Sequence, residues 1–127
     1  MRTFKAEIGP LQLDLVIDFG VARCIKEQVG DPMLIAQEAA VAARMAEAGF
    51  AHKAKFAFDI ENIPLIIWLG AKASDPDLKL SQVQDACTDI GFAPAMSIAD
   101  SFLAQFIAPR SQAKAKPKAE KAEPAGE

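Results

Sequence analysis

From Thr3 onward the chain alternates between apolar and polar residues. Phe4, Ala6 and Ile8 fall on one side and Lys5 and Glu7 on the other, and after Gly9-Pro10 the residues Leu11, Leu13, Leu15 and Ile17 alternate with Gln12 and Asp14. A period of two on both sides of a Gly-Pro pair predicts a β-hairpin. With Gly9 supplying a positive φ and Pro10 a φ near −65° in a two-residue loop, the cross-strand pairs become Ile8/Leu11, Ala6/Leu13 and Phe4/Leu15. All three lie on one face, and Lys5 stands opposite Asp14 on the other. A slip of one residue would turn the whole apolar set into water, so the pattern specifies the register.

Past Ile17 the period changes. Val21, Ala22, Ile25 and Val29 form a helical stripe that ends at Gly30, and Asp18 stands immediately before it. An aspartate there is an N-cap, its carboxylate accepting from an orphan amide of the first turn, which is worth about 1 kcal/mol relative to Ala. The same stretch, Val16-Ile17-Asp18-Phe19-Gly20, contains the triplet that places an aspartate on catalytic magnesium in protein kinases. The rest of that machinery is missing: there is no Gly-rich loop before it, no paired strand lysine and helix glutamate, and no catalytic-loop Asp and Asn. Capping accounts for Asp18 without any metal.

Asp31-Pro32 repeats the device, a cap followed by proline at the first helical position, and predicts a helix to Ala48 with Gly49 as its stop. Leu34, Val41 and Met45 make one apolar stripe on it and Ile35, Ala39, Ala42 and Ala46 make another. Together they cover roughly 220° of the circumference, broken mainly by Glu38. One core needs less than that. Either the helix is sandwiched between two others, or the Leu34, Val41 and Met45 strip is kept for a partner.

The segment from Phe50 to Phe58 reads equally as an edge strand and as an extended connection. Asp59 or Asn62 then caps a helix running through Ile63, Pro64 and Trp68 to about Ala73, apolar on all sides and therefore expected to be the buried centre of the fold. Ser74-Asp75-Pro76-Asp77 is a turn, Ser81 and Gln84 have the spacing of a capping box for a helix ending at Gly91, and Phe92 is placed to pack back on it. Pro94 opens a last helix, with Ile98, Phe102 and Phe106 beside Ala95 and Ala99, which Pro109 stops.

A hydrophobic fraction of 51% and a charged fraction of 24% in 127 residues describe one globular domain, expected to span residues 1–109. Residues 110–127 contain no apolar residue larger than Ala and predict a disordered Ala/Lys/Glu/Pro tail. Residues 1–109 hold 9 Lys and Arg against 14 Asp and Glu, a net of −5, whereas the tail holds 5 against 3, a net of +2. An acidic body argues against a nucleic-acid surface. Met1-Arg2 leads into alternating residues rather than an apolar h-region, and the longest apolar run, Ile63 to Leu69, is short of the ~20 residues that span a bilayer. A cytoplasmic protein with no membrane partner is expected.

Candidate chemistry adds little. Cys24 and Cys87 lie in helical patterns without a second Cys or His at metal-ligand spacing, and read as buried free thiols. His52 is the single histidine, so any zinc site or His-based triad would have to be built on it. Asp75 and Asp77 flank a proline and supply too few oxygens for a calcium loop. No G-x-S-x-G, H-E-x-x-H, P-loop, G-x-G-x-x-G or C-x-x-C occurs. The expectation is a protein that is not an enzyme and has no cofactor and no metal. A small thiol enzyme using Cys24 or Cys87 would need a thiol of depressed pKa.

The order of elements, with "IKEQVGDPMLIAQEAA", "IENIPLIIWLGAKASDPDLKLSQVQDAC" and "GFAPAMSIADSFLAQFIAP", resembles the small tail-assembly proteins of long-tailed phages and gene transfer agents over about residues 4–108. The resembling pieces are the Glu27 to Gly30 helix end, the apolar helix closing in Leu69-Gly70 before the Ser74 to Asp77 turn, the Ser81 helix and a terminal helix leading into a charged tail. None is a catalytic signature. The resemblance implies an α+β fold, a hairpin followed by about four helices and a disordered tail. It also implies a tail assembly chaperone, working in the bacterial host cytoplasm, that binds the helical tape measure protein, with the tail tube protein as a second candidate partner. Leu34, Val41 and Met45 are the residues that could supply its exposed apolar strip. The alternative is a self-associating structural or adaptor subunit of such a tail, a homo-oligomer built through the same strip.

Overall fold

The computed structural model describes residues 2–51 and 56–107. Two strands, β1 (Thr3–Ile8) and β2 (Leu11–Val16), are followed by α1 (Phe19–Gln28), α2 (Pro32–Glu47), α3 (Asn62–Ala71), α4 (Leu80–Ile90) and α5 (Phe92–Ala104). The fold is α+β: one antiparallel hairpin and, among the described residues, five helices where about four were expected. Only Gly91, at φ +95, separates α4 from α5. The segment 110–127 and His52 lie outside the described residues.

The hairpin has the register that its alternation dictates, with Ile8 opposite Leu11, Ala6 opposite Leu13 and Phe4 opposite Leu15. Gly9 takes φ +58, which an L side chain adopts only with strain. Lys5 Nζ meets Asp14 Oδ1 at 2.7 Å on the wet face, an exposed pair worth at most about 1 kcal/mol.

Short polar residues start α1, α2 and α3. The Val21 amide donates to Asp18 Oδ1 at 2.8 Å, and the Met33 amide to Asp31 Oδ1 at 2.9 Å with Pro32 in the first turn. Asp59 and Asn62 act together: Asp59 Oδ1 accepts from the Glu61 and Asn62 amides while Asn62 Oδ1 accepts from the Asp59 amide. At the end of α2 the Phe50 amide reaches Met45 O and the Gly49 amide Ala46 O, with Gly49 at φ +83. This is a Schellman stop, in which glycine tolerates the left-handed backbone.

Two helix starts need correction: α5 begins at Phe92, which leaves Pro94 inside its first turn, and α4 also starts early. Helix α4 begins at Leu80, so Ser81 lies within its first turn and does not cap it. The bond that closes the start runs from the Lys79 amide to Gln82 Oε1 at 2.9 Å. The earlier start adds Leu80 to the inward stripe of Val83, Cys87 and Ile90, and this apolar gain outweighs a serine cap. The described residues of the Phe50 to Phe58 segment, whose pattern left edge strand and extended connection open, form no strand; Phe56 and Phe58 pack edge to face, their ring centroids 5.3 Å apart.

Helix α3 is the centre. It packs against β2, α4, α5 and α1, and Ile63, Pro64, Ile66, Ile67, Leu69, Gly70 and Ala71 are all buried. Gly70 allows the closest approach in the core: a Cβ there would stand 2.6 Å from Phe102 Cζ and 3.2 Å from Leu15 Cβ. Phe102, fully buried on α5, therefore lies against bare α3 backbone. The indole N–H of Trp68 donates to Leu78 O at 2.9 Å, and Ser74 Oγ lies 2.7 Å from Asp14 O, fastening the α3–α4 turn to β2.

Candidate partner-binding surfaces

Helix α2 is built differently from α3. Its buried residues, Pro32 and Ile35, both lie in the first turn; beyond Ile35 none of its side chains is sealed from water. Leu34 is 43% exposed, while Val41 and Met45 are half-buried on the same stripe. The helix rests chiefly on α5 and, through a shorter contact, on α1. Thus the three residues named from the sequence form one strip of graded exposure, open at Leu34 and partly covered toward Met45.

A second apolar surface lies where α1 and α2 both begin. Phe19, the first residue of α1, is 79% exposed, and Met33 on α2 is 51% exposed. The Val21 and Ile25 stripe turns inward, and Phe19 stands about 200° around the helix from Val21, which faces it to solvent. Phe19 lines two hollows. One, of about 380 Å³, is lined by Arg2, Ile17, Phe19, Pro32, Met33 and Phe106. The other, of about 400 Å³, is lined by Phe19, Ala22, Pro32, Arg23 and Lys26. Asp18 reaches the first of these hollows and Asp31 both, each carboxylate holding a helix amide.

Reactive groups are scattered. Cys87 is fully buried and its thiol is pushed above the ordinary value by desolvation, the reverse of nucleophile activation. Cys24 is only partly buried, not sealed as expected: it packs against the core and lines a shallow depression with Gly20, Val21, Leu69 and Lys72, because α1 turns Val21 and Ile25 inward and leaves position 24 on the flank. Asp100 on α5 is raised by partial burial, beside Ser101 and Ala104 in a cleft that reaches Ala36 of α2. Among the described residues no group of three or more His, Cys, Asp or Glu is placed to hold a metal ion, and no helix is long and apolar enough to cross a membrane. Asp75 and Asp77 sit in the exposed turn after α3.

The sequence pointed to the α2 strip but passed over Phe19. The signal was available: an aromatic directly after an N-cap, off the buried stripe of its own helix, has nothing of that helix's core to join. No family model, curated protein or solved structure matches the chain.

Proposed function

We propose that this protein is a non-enzymatic tail assembly chaperone that keeps a long helical tape measure protein dispersed until tube subunits polymerise around it. The observation that carries the reading is the state of α2: a sixteen-residue helix that buries only Pro32 and Ile35 and leaves Leu34 open to solvent. A helix held to its domain by one edge has an apolar flank to lend, and an amphipathic partner helix laid along it would bury what the domain does not. A body of net charge −5 over residues 1–109 keeps such a complex dispersed by repulsion between copies. Binding in the host cytoplasm, without turnover or cofactor, completes the proposal.

The test is capture of a helical fragment of the cognate tape measure protein. Replacing Leu34, Val41 and Met45 together by Ser is expected to leave a cooperative unfolding transition and to abolish co-purification of the fragment. Loss of the transition would show the strip to be core, and retained capture would remove it as the binding surface. If the purified chain forms rings or filaments by light scattering and takes up no fragment, the structural-subunit reading replaces this one.

A further inference from the structure

The Phe19 surface differs from the α2 strip in its charge. The starts of α1 and α2 converge on it, each bringing the positive end of a helix dipole, worth roughly half a charge before capping. Arg2, Arg23 and Lys26 line it, three cations against Asp18 and Asp31, with the Arg2 guanidinium also donating to Gln105 O at 3.0 Å. Those two carboxylates are partly spent, each accepting from an amide of its own helix. Arg23 and Lys26 have no ion-pair partner among the described residues, and with Phe19 they lie at i, i+4 and i+7 on one outward face of α1. In a body of net charge −5 this corner is locally positive, and it surrounds the most exposed large apolar side chain of the described residues.

We propose that the two hollows lined by Phe19 form a docking site for an acidic amphipathic helix, with bulky apolar side chains seated against the Phe19 ring and carboxylates against Arg23, Lys26 and Arg2. Charge supports the mode: an exposed aromatic that lines two hollows offers apolar seats, and the cations beside it select the sign of the residues flanking the anchors. This deepens the chaperone reading by naming the chemistry of the captured helix, which would carry acidic residues beside its apolar stripe. It rests on that reading only for the partner's identity, since the surface is separate from Leu34, Val41 and Met45.

The probe is a pair of dye-labelled synthetic helical peptides of identical apolar stripe, one flanked by Glu and the other by Lys, titrated with the full chain at low ionic strength. The Glu peptide is expected to bind at least tenfold tighter than the Lys peptide, and to lose at least tenfold in affinity on Phe19→Ser and on the double change Arg23→Glu and Lys26→Glu. Phe19 and both cations are exposed, so these variants are expected to unfold at the parent temperature, and a circular dichroism melt of each one checks it. A further screen is salt: raising the ionic strength toward 1 M should erase the preference. Equal affinity for the two peptides overturns the proposal, as does no binding of either, or binding untouched by the Phe19 and Arg23 variants. Should both peptides bind alike and lose affinity only through Leu34, Val41 and Met45, the chaperone reading stands and this one falls. If sedimentation shows the parent to be a dimer that Phe19→Ser makes monomeric, a second copy occupies the site and the acidic-helix proposal is wrong.

Discussion

Helices α2 and α3 carry nearly the same message in the sequence, apolar residues around most of the circumference, and the structure disposes of them in opposite ways. In α3 the bulk is Ile, Leu and Trp, and the helix is enclosed by β2, α1, α4 and α5. In α2 the apolar residues past Ile35 are mostly Ala, too small to organise a core around them, with Val41 and Met45 only half-covered and Leu34 open. Burying a Leu or Ile side chain contributes about 1.5–3 kcal/mol, whereas Ala contributes a fraction of that. Enclosure therefore goes to the helix with more surface to hide. Apolar width marks a helix as multiply contacted; side-chain volume decides whether the contacts come from its own domain.

The largest expected effect lies in α3. Ile67 is fully buried, and Ile67→Ala should cost about 2–5 kcal/mol in urea unfolding, a large share of the stability of an ordinary domain. Next comes Gly70→Ala, which is favourable for an isolated helix but forces a methyl to within 2.6 Å of Phe102 Cζ; a loss of about 1–3 kcal/mol is expected, and Phe102→Leu in the same chain should return part of it. By contrast Leu34→Ser on α2 should change stability by less than about 0.5 kcal/mol while weakening capture of a tape measure fragment, which separates surface from core within a single pair of assays.

The smallest expected effects come from the titratable groups. Burial raises Asp100, so the folded state prefers its neutral form. Stability from this group is fully present below the unfolded aspartate pKa and falls as pH rises through the higher folded value. Asp100→Asn should accordingly raise the melting temperature slightly at pH 7 and leave it unchanged below the ordinary aspartate pKa. For the thiols, iodoacetamide at neutral pH should label partly buried Cys24 in the native protein faster than Cys87, which is sealed until the chain is denatured.

What was legible in the sequence follows the same division. The hairpin could be read to its last pair because a period of two, a Gly-Pro turn and an opposed Lys5 and Asp14 all demand one register. Asp18, Asp31-Pro32 and Gly49 announced their helix ends because each meets a local backbone need that few other residues meet. The start of α4 was misplaced at Ser81, since a polar capping pair two residues further on competes with Leu80 in the pattern, and only packing settles the choice. Phe19 stands off the Val21 and Ile25 stripe in the sequence itself, whereas how far Cys24 is covered on the flank depends on how α1 is rotated against α3, a long-range property that no window of α1 contains. The identity of the partner surface belongs to the same class. Sequence reports how much apolar flank exists and leaves its cover to the assembled fold.

Amide hydrogen exchange of the full chain, alone and with a bound helical tape measure fragment, tests the central claim most directly. Free protein should show rapid exchange along α2 past Ile35 and strong protection through α3, and binding should slow α2 while leaving α3 unchanged. Protection of α2 equal to that of α3 in the free protein, or a bound fragment that leaves α2 exchange unaltered, would contradict it.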